Sequence, residues 1–410
     1  MLLREQNGKI TLATKLEAAQ RRNNLSARLL IAPLLVFLLV VFIYPVFALL
    51  ISAVEDSSVS TAFPRTLDAL SAWNREAPPE EETYAALHAD LSSAELEAVV
   101  AAANRLNEDQ TGLRDLVMRT ARNLRVISVP PYKSQFLDAD PRWGTVETWR
   151  IIRTASGPMT TKYLLGVLDL KLSDDGVLEK APPEKSVYLK YLTRTLEISL
   201  TVVLICLVIG YPLAMVITGA GPTLRRLLLL LVLLPFWTSL LVRTTAWLII
   251  LRTDGLANQF LTSVGVTAGP LPLIFNRLAV LVVLCHIMLP FLVLPLYSVM
   301  TGIPKNLMKA AASLGARPLA AFLTVYLPLS LPGVGAGCIL VFVLTLGFYI
   351  TPALVGGPRD QMLSYLIAEF VIKLGNWSMA SATATLLLIA VAIIVPVLIW
   401  ITSLGRDITR

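Results

Sequence analysis

Charge is scarce in this sequence. Only 15% of its 410 residues are Asp, Glu, Lys or Arg, against about 25% in soluble domains. With 55% hydrophobic residues and a mean hydropathy of +0.69, an ordinary soluble domain is excluded and an integral membrane protein is the leading class. Histidine is down to His88 and His286, and no zinc-ligand spacing occurs. A G-x-x-x-x-G-K-[ST] phosphate loop is absent, as is a nucleophile elbow. The chain therefore does not read as an enzyme, no cofactor or metal is called for, and any energy it uses comes from elsewhere. The three cysteines, Cys206, Cys285 and Cys338, all fall in apolar runs. That placement rules out a disulfide framework and suits packing residues better than redox groups. No nucleic-acid motif accompanies the net charge of +7.

What is present is a series of charge-poor apolar runs near the ~20 residues needed to cross a bilayer core. Six qualify, at Leu29–Ile51, Ile198–Thr218, Leu227–Leu251, Leu278–Met300, Val334–Pro352 and Ala380–Ser403. Pro45, Pro212, Pro235 and Pro290 lie inside them, which membrane helices tolerate because neighbours re-satisfy the freed carbonyls. The first run is longer than a signal-peptide core and follows a 28-residue leader, so it reads as a retained span. Six spans put both termini on one side. That side carries thirteen basic residues: Arg4, Lys9, Lys15, Arg21, Arg22, Arg28, Arg225, Arg226, Lys305, Lys309, Arg317, Arg406 and Arg410. The short loops opposite carry four, Arg252, Arg277, Arg359 and Lys373. The bias predicts both termini inside the cell. Basic residues thus read as topology rather than as a nucleic-acid surface.

Between the first two runs, Ser52–Arg194 holds 17 Lys+Arg and 21 Asp+Glu, most of the charge in the protein. Long segments translocate regardless of charge, so a mostly helical extracytoplasmic insert is expected there. Ser92 and Glu95 form a Ser-x-x-Glu capping signal ahead of an Ala-rich run ending at Leu106. Leu113, Leu116, Val117, Leu124 and Ile127 recur at helical spacing. Val167, Leu168, Leu170 and Leu172 alternate before Asp-Asp-Gly, as in a strand and turn. The expected organisation is a cytoplasmic segment 1–28, a first span 29–51, an insert 52–194, a five-span core 195–405 and a cytoplasmic end 406–410.

The loop between the fourth and fifth runs, within 301–332, contains "KAAASLGARPLAAFLTVYLPLSLP" (309–332). Lys309–Leu314 favours helix through three Ala. Gly315 stands where a left-handed residue ends a helix, and Pro318 suits the first turn of another running through Phe322, Val325 and Tyr326 to Pro328. Small side chains allow close approach to a partner protein; a helix lying on the membrane is the plainer alternative. Ala-Ala-x-x-Leu-Gly-Ala followed by "LPLSLPG" resembles the cytoplasmic signature of permease subunits of binding-protein-dependent ABC importers. "RTLEISLTVVLICLVIGYPLA", "LPFWTSLLVRTTAWLIIL" and "GFYITPALVGGP" are similar to the spermidine/putrescine branch of that family. The resemblance implies an all-α membrane protein of the ABC importer permease type with six transmembrane helices, in a bacterial inner membrane. It implies as partners an ATP-binding subunit dimer, a second permease chain and a periplasmic solute-binding protein. It also implies that Lys309, Ala310, Ala311, Leu314, Gly315 and Ala316 couple to the ATPase, with Lys309 standing where the family usually has Glu. The cargo implied is a polyamine or a related small organic solute.

Arg243 lies eight residues before Leu251, about 12 Å at 1.5 Å per residue, too far for easy snorkelling to the lipid surface. It reads equally as a polar lining of the passage or as half of a buried ion pair. Phe236, Trp237, Thr238, Ser239, Trp247 and Tyr349 are further lining candidates; their aromatics serve packing or interfacial anchoring as well. Asp254, Asp360 and Glu369 on the external side are candidates for attracting a cation or meeting the binding protein. His286 reads as a packed polar residue rather than a proton relay. Two alternatives stand beside the permease. An ion-gradient-driven secondary transporter often shows paired repeats, and none is visible. A membrane-anchored sensor would work through the insert.

Overall fold

The computed structural model describes residues 30–123, 129–172, 177–184, 186–304 and 306–407, with backbone alone for 401–407. The expected cytoplasmic basic residues up to Arg28, Lys305 and Arg410 lie outside these residues, as do Leu124, Ile127 and the Asp-Asp-Gly turn. Two units divide at Ser52. The first is α1, Leu30–Ser52, whose turn widens to i→i+5 bonding at Leu39–Ile43, with Tyr44 N–H on the Leu39 carbonyl. Pro45 follows directly. A proline lacks an N–H and its ring crowds the carbonyl four residues back, and the widened turn accommodates both.

The second unit begins with a helical lobe: α2 (Ser58–Ala62), α3 (Pro64–Ser71), α4 (Glu81–Ser93), α5 (Leu96–Asp109), α6 (Leu113–Arg122), α7 (Tyr132–Ala139) and α8 (Val146–Thr154). Tyr84, Phe136, Trp143 and Trp149 are fully buried at its centre. Their polar atoms are satisfied: Tyr84 Oη and Trp149 Nε1 donate to the Trp143 carbonyl at 2.8 and 2.7 Å, and Trp143 Nε1 donates to Thr120 Oγ1 at 2.9 Å. Burying such rings supplies most of what a small lobe needs. The chain enters and leaves this lobe side by side, with Glu55 bridged to Met159 and Asp56 N–H on the Pro158 carbonyl at 3.1 Å. Next come α9 (Lys162–Val167) and a hairpin of β1 (Leu170–Leu172) and β2 (Leu178–Lys180).

Two local expectations change here. Ser92 does not cap α5: it bonds back to the His88 carbonyl at 2.7 Å and extends α4, so the break falls at Ala94 and Glu95. Serine hydroxyls can bond to a preceding carbonyl inside a helix as readily as cap one. Val167 ends a helix, and the strand begins only at Leu170.

The remaining helices are α10 (Tyr188–Gly219), α11 (Pro222–Trp237), α12 (Leu240–Leu251), α13 (Leu256–Ser263), α14 (Arg277–Thr301), α15 (Asn306–Ser313), α16 (Pro318–Leu346), α17 (Ile350–Val355), α18 (Leu363–Glu369) and α19 (Trp377–Asp407). By length and composition, five described helices can cross a membrane: α1, α10, α14, α16 and α19. The third expected run is not one helix. It breaks at Thr238–Ser239 and bends by 100°, giving a sixth span if the two parts count together. Pro235 opens a tight turn over Leu234–Trp237, and Ser239 Oγ accepts the Val242 N–H at 3.2 Å, starting α12 afresh. Pro328 does not end the helix before the fifth run. Another i→i+5 turn at Phe322–Tyr326 lies just ahead of it, and α16 continues through to Leu346.

The membrane core packs α10, α14 and α16 around Ile198, Val202, Met288, Leu292, Leu296 and Val341, all fully buried. At the α14–α16 seam, a Cβ on Gly337 would stand 3.1 Å from the Leu292 carbonyl. Glycine there lets the two backbones approach, which is how membrane helices gain packing when lipid supplies no hydrophobic drive between them. Cys206 and Cys285 are free, and Cys206 Sγ donates to the Cys285 carbonyl at 3.7 Å across α10 and α14.

Candidate functional site

The loop between α14 and α16 is built from its own sequence. α15 ends in a left-handed turn: Gly315 has φ +85°, its N–H bonds to the Ala312 carbonyl, and Ala316 N–H reaches the Ala311 carbonyl, both at 3.0 Å. These are the paired bonds of a Schellman ending, and they explain why glycine follows the Ala run. α16 then starts at Pro318. No residue of α15 is buried. Lys309, Ala310 and Gly315 are exposed, and Ala311 and Ala316 are half-buried. Leu314 is 89% exposed and Leu319 70%, on either side of the turn. The turn thus carries apolar side chains open to the surroundings on a segment that bonds its own backbone.

The second group surrounds the broken span. Trp237 is 75% exposed, while Phe236 meets Phe291 of α14 edge to face at 5.0 Å. Thr238 and Ser239 are exposed at the break, and each hydroxyl serves the local turn. Thr244, buried, meets Thr351 of α17 at 3.2 Å, which ties α12 to the segment after α16. Tyr349 is half-buried just before α17. Arg243 is half-buried, and its Nε is buried with no hydrogen-bond partner. Among the described residues no carboxylate pairs with it, so the ion-pair reading of Arg243 finds no partner within them. One turn on, Trp247 Nε1 donates to His286 Nδ1 on α14 at 3.1 Å. That bond assigns the imidazole proton to Nε2. His286 is thus packed and oriented, as expected of a polar residue within the bundle.

Each of the three acids expected on the external side already holds a base. Asp360 is buried, takes Arg277 Nε at 3.0 Å and accepts the Gly357 N–H at 3.2 Å. It organises the loop before α18 rather than facing solvent. Asp254 pairs with Arg252 and Glu369 with Lys373, both at 3.1 Å and both at the surface, where such pairs contribute little.

A cluster that the sequence does not reveal joins the lobe to the end of the last span. Arg105 on α5 binds Asp56 at 2.7 Å and Asp109 at 2.6 Å. Lys162 on α9 binds Asp109 at 2.7 Å and Glu108 at 3.3 Å. Glu108 also accepts from Asn376, whose own Oδ1 takes the Met379 N–H in the first turn of α19 at 2.9 Å. Burial pushes the Asp56 and Glu108 carboxyls above their usual range against the pull of Arg105 and Lys162. For Asp109 burial acts the same way, but Lys162 and Arg105 outweigh it and hold the carboxyl low. Beside the cluster, Ala53, Tyr163 and Val167 pack on Leu363, Ala382 and Leu386. Glu108 and Asn376 are 268 residues apart, so no local pattern could have paired them.

A family model, the inner membrane component of binding-protein-dependent transport systems, matches residues 207–410. The spermidine/putrescine transport system permease protein PotB of Escherichia coli (strain K12) is 36% identical over 206 residues, 50% of this chain and 75% of that protein. PotB of Haemophilus influenzae is 35% identical over 209 residues, 51% of this chain and 73% of its own. The inner membrane ABC transporter permease protein YdcU of Escherichia coli (strain K12) is 33% identical over 216 residues, 49% and 67%. Among solved structures, a bacterial ABC transporter involved in import of the acidic polysaccharide alginate aligns with a TM-score of 0.43 at 18% identity. The alignment covers 54% of this chain and 80% of that one. The lobe and α1 lie outside the family match.

Proposed function

Since the chain belongs to the inner membrane components of binding-protein-dependent transport systems, on the spermidine/putrescine permease branch of ABC importers, we propose that it carries a polyamine or a related small organic solute across the membrane by alternating access. It is a multi-pass inner membrane protein and a non-catalytic transport subunit. In the proposed cycle a separate ATP-binding subunit dimer hydrolyses ATP, a second permease chain completes the passage, and a periplasmic binding protein delivers the solute. Both termini and the α15–α16 loop face the cytoplasm, and the lobe faces the periplasm. The basic bias of the loops supports that orientation.

One observation carries the reading. Asn306–Tyr326 is an ordered, self-bonded helix pair with Leu314 and Leu319 open to solvent. Its stem, α16, runs unbroken into the buried membrane core. A push on Lys309–Ala316 therefore has a rigid path to the α14–α16 seam. Cysteine placed at Ala311 should cross-link to the ATP-binding subunit in the assembled transporter. Ala311→Trp and Gly315→Pro should abolish solute uptake into vesicles while ATP hydrolysis continues. Unchanged uptake in both variants would refute the coupling role, and solute flux driven by an ion gradient without the ATPase would refute the importer reading.

The alkyl and aromatic surfaces of Phe236, Trp237, Trp247 and Tyr349, with Thr238, Ser239 and Arg243, are assigned to the lining of the passage. Phe236, Trp237, Thr238 and Ser239 lie at the break in the third span, Arg243 and Trp247 along α12, and Tyr349 just before α17, which Thr244–Thr351 ties to α12. At such a break polar backbone in a membrane is tolerated only against protein or water.

A further inference from the structure

Arg243 is a cation that the described part of the chain leaves without a counter-ion. It lies in the first turn of α12, half-buried, in a segment whose flanking residues Leu241 and Val242 are exposed apolar side chains. Its Nε is buried and donates to no partner, and no carboxylate among the described residues pairs with it. The polar group on the same helix face one turn on, the Trp247 indole N–H, is spent on His286 Nδ1. The remaining polar hydrogen of that imidazole is an N–H at Nε2. The side chains converging here thus offer a guanidinium and an imidazole N–H as donors, and no anionic acceptor. A small cation entering such a place meets fixed positive charge in poorly polarisable surroundings, where like-charge repulsion is little screened. Fixed positive groups exclude cations and protons from other membrane pores by the same physics.

We propose that Arg243 is the charge barrier of the passage, blocking leakage of inorganic cations and hydronium through the permease between transport strokes. The inference rests on the assignment of the α12 face to the lining of the passage. The break at Thr238–Ser239 separates α12 from α11 by a 100° bend, so the helix bearing the barrier has its own hinge. A cationic solute crosses when the power stroke swings α12 aside; a potassium ion, with no binding protein to trigger the stroke, does not.

The test uses the complete transporter, with ATP-binding subunits, second permease and binding protein, in vesicles without ATP. Arg243→Gln should raise passive potassium and proton leak on the order of tenfold, and Arg243→Lys should hold it at the parental level. A second arm avoids dependence on the folding of Arg243→Gln. Arg243→Cys is made in a chain with Cys206, Cys285 and Cys338 replaced by Ser. It is then treated with a methanethiosulfonate bearing an ammonium group, or with a neutral one of similar size. Leak should fall with the cationic reagent and stay high with the neutral one. Modification of the introduced thiol by either reagent with leak unchanged throughout overturns the barrier while the lining assignment stands. Failure of both reagents to reach that thiol overturns the lining assignment, and the barrier with it.

Discussion

Gly315 holds φ +85° in open space, with nothing within 4 Å of where a Cβ would sit. Its constraint is therefore backbone conformation alone, which costs an L-residue roughly 1–2 kcal/mol. Gly315→Val should leave the melting temperature of the purified protein nearly unchanged, because α15 carries no buried residue. ATP-driven uptake should nevertheless fall, while Gly315→Asn, which tolerates the left-handed region, retains most of it. Arg105 is the contrasting case. It is 5% exposed against an Asp56 that is 3% exposed, so removing it leaves a buried carboxylate without its base. Arg105→Ala should cost about 3–5 kcal/mol, read as a lowered denaturation midpoint of the full chain. Replacing both partners, Arg105→Met with Asp56→Asn, should recover much of that loss. Gly315 is legible in the sequence because its partners are its own neighbours. Arg105 reads as one more charge on an amphipathic helix until the fold delivers Asp56.

At the scale of elements, proline and glycine decide how each apolar run is used. Pro45 and Pro328 follow widened turns and leave their helices continuous, whereas Pro235 sits within a tight turn after which the chain bends. The sequence shows all three prolines alike. The outcome depends on the following residue that can start a new helix: Ser239 caps α12 through Oγ. Ser239→Ala should cost about 1 kcal/mol, seen as faster amide exchange over the first turn of α12. The α14–α16 seam is stricter, since a Cβ on Gly337 would stand 3.1 Å from the Leu292 carbonyl. Gly337→Val should lower stability by about 1–3 kcal/mol through overpacking, measured as a lower midpoint in detergent unfolding. That contact lies behind the expected fifth span, whose apolar run is visible, although its partner and its close approach are not.

For the molecule as a whole, the lobe meets the rest of the chain through its adjacent ends and through Glu108 and Asp109, which bind Asn376 and Lys162. Its ends are adjacent, through Glu55–Met159 and Asp56–Pro158, while α9 belongs to the packing around α18 and α19. Joining Asp56 to Gly157 by a short turn should thus leave a chain that still assembles and binds its partners, with one aromatic core removed. Deleting onward to Lys180 should strip the cover from Leu363, Ala382 and Leu386 and yield aggregated protein on size-exclusion chromatography. The apolar runs, the basic bias and the Ala-Ala-x-x-Leu-Gly-Ala turn were determined by sequence alone, because hydropathy and turn chemistry act over a few neighbouring residues. Tertiary structure alone decided that the third run breaks, that Asp360 is buried on Arg277, and that Glu108 meets Asn376. Those outcomes depend on groups brought together from distant parts of the chain, and burial, which sets the strength of a charge or a contact, exists only once they have met.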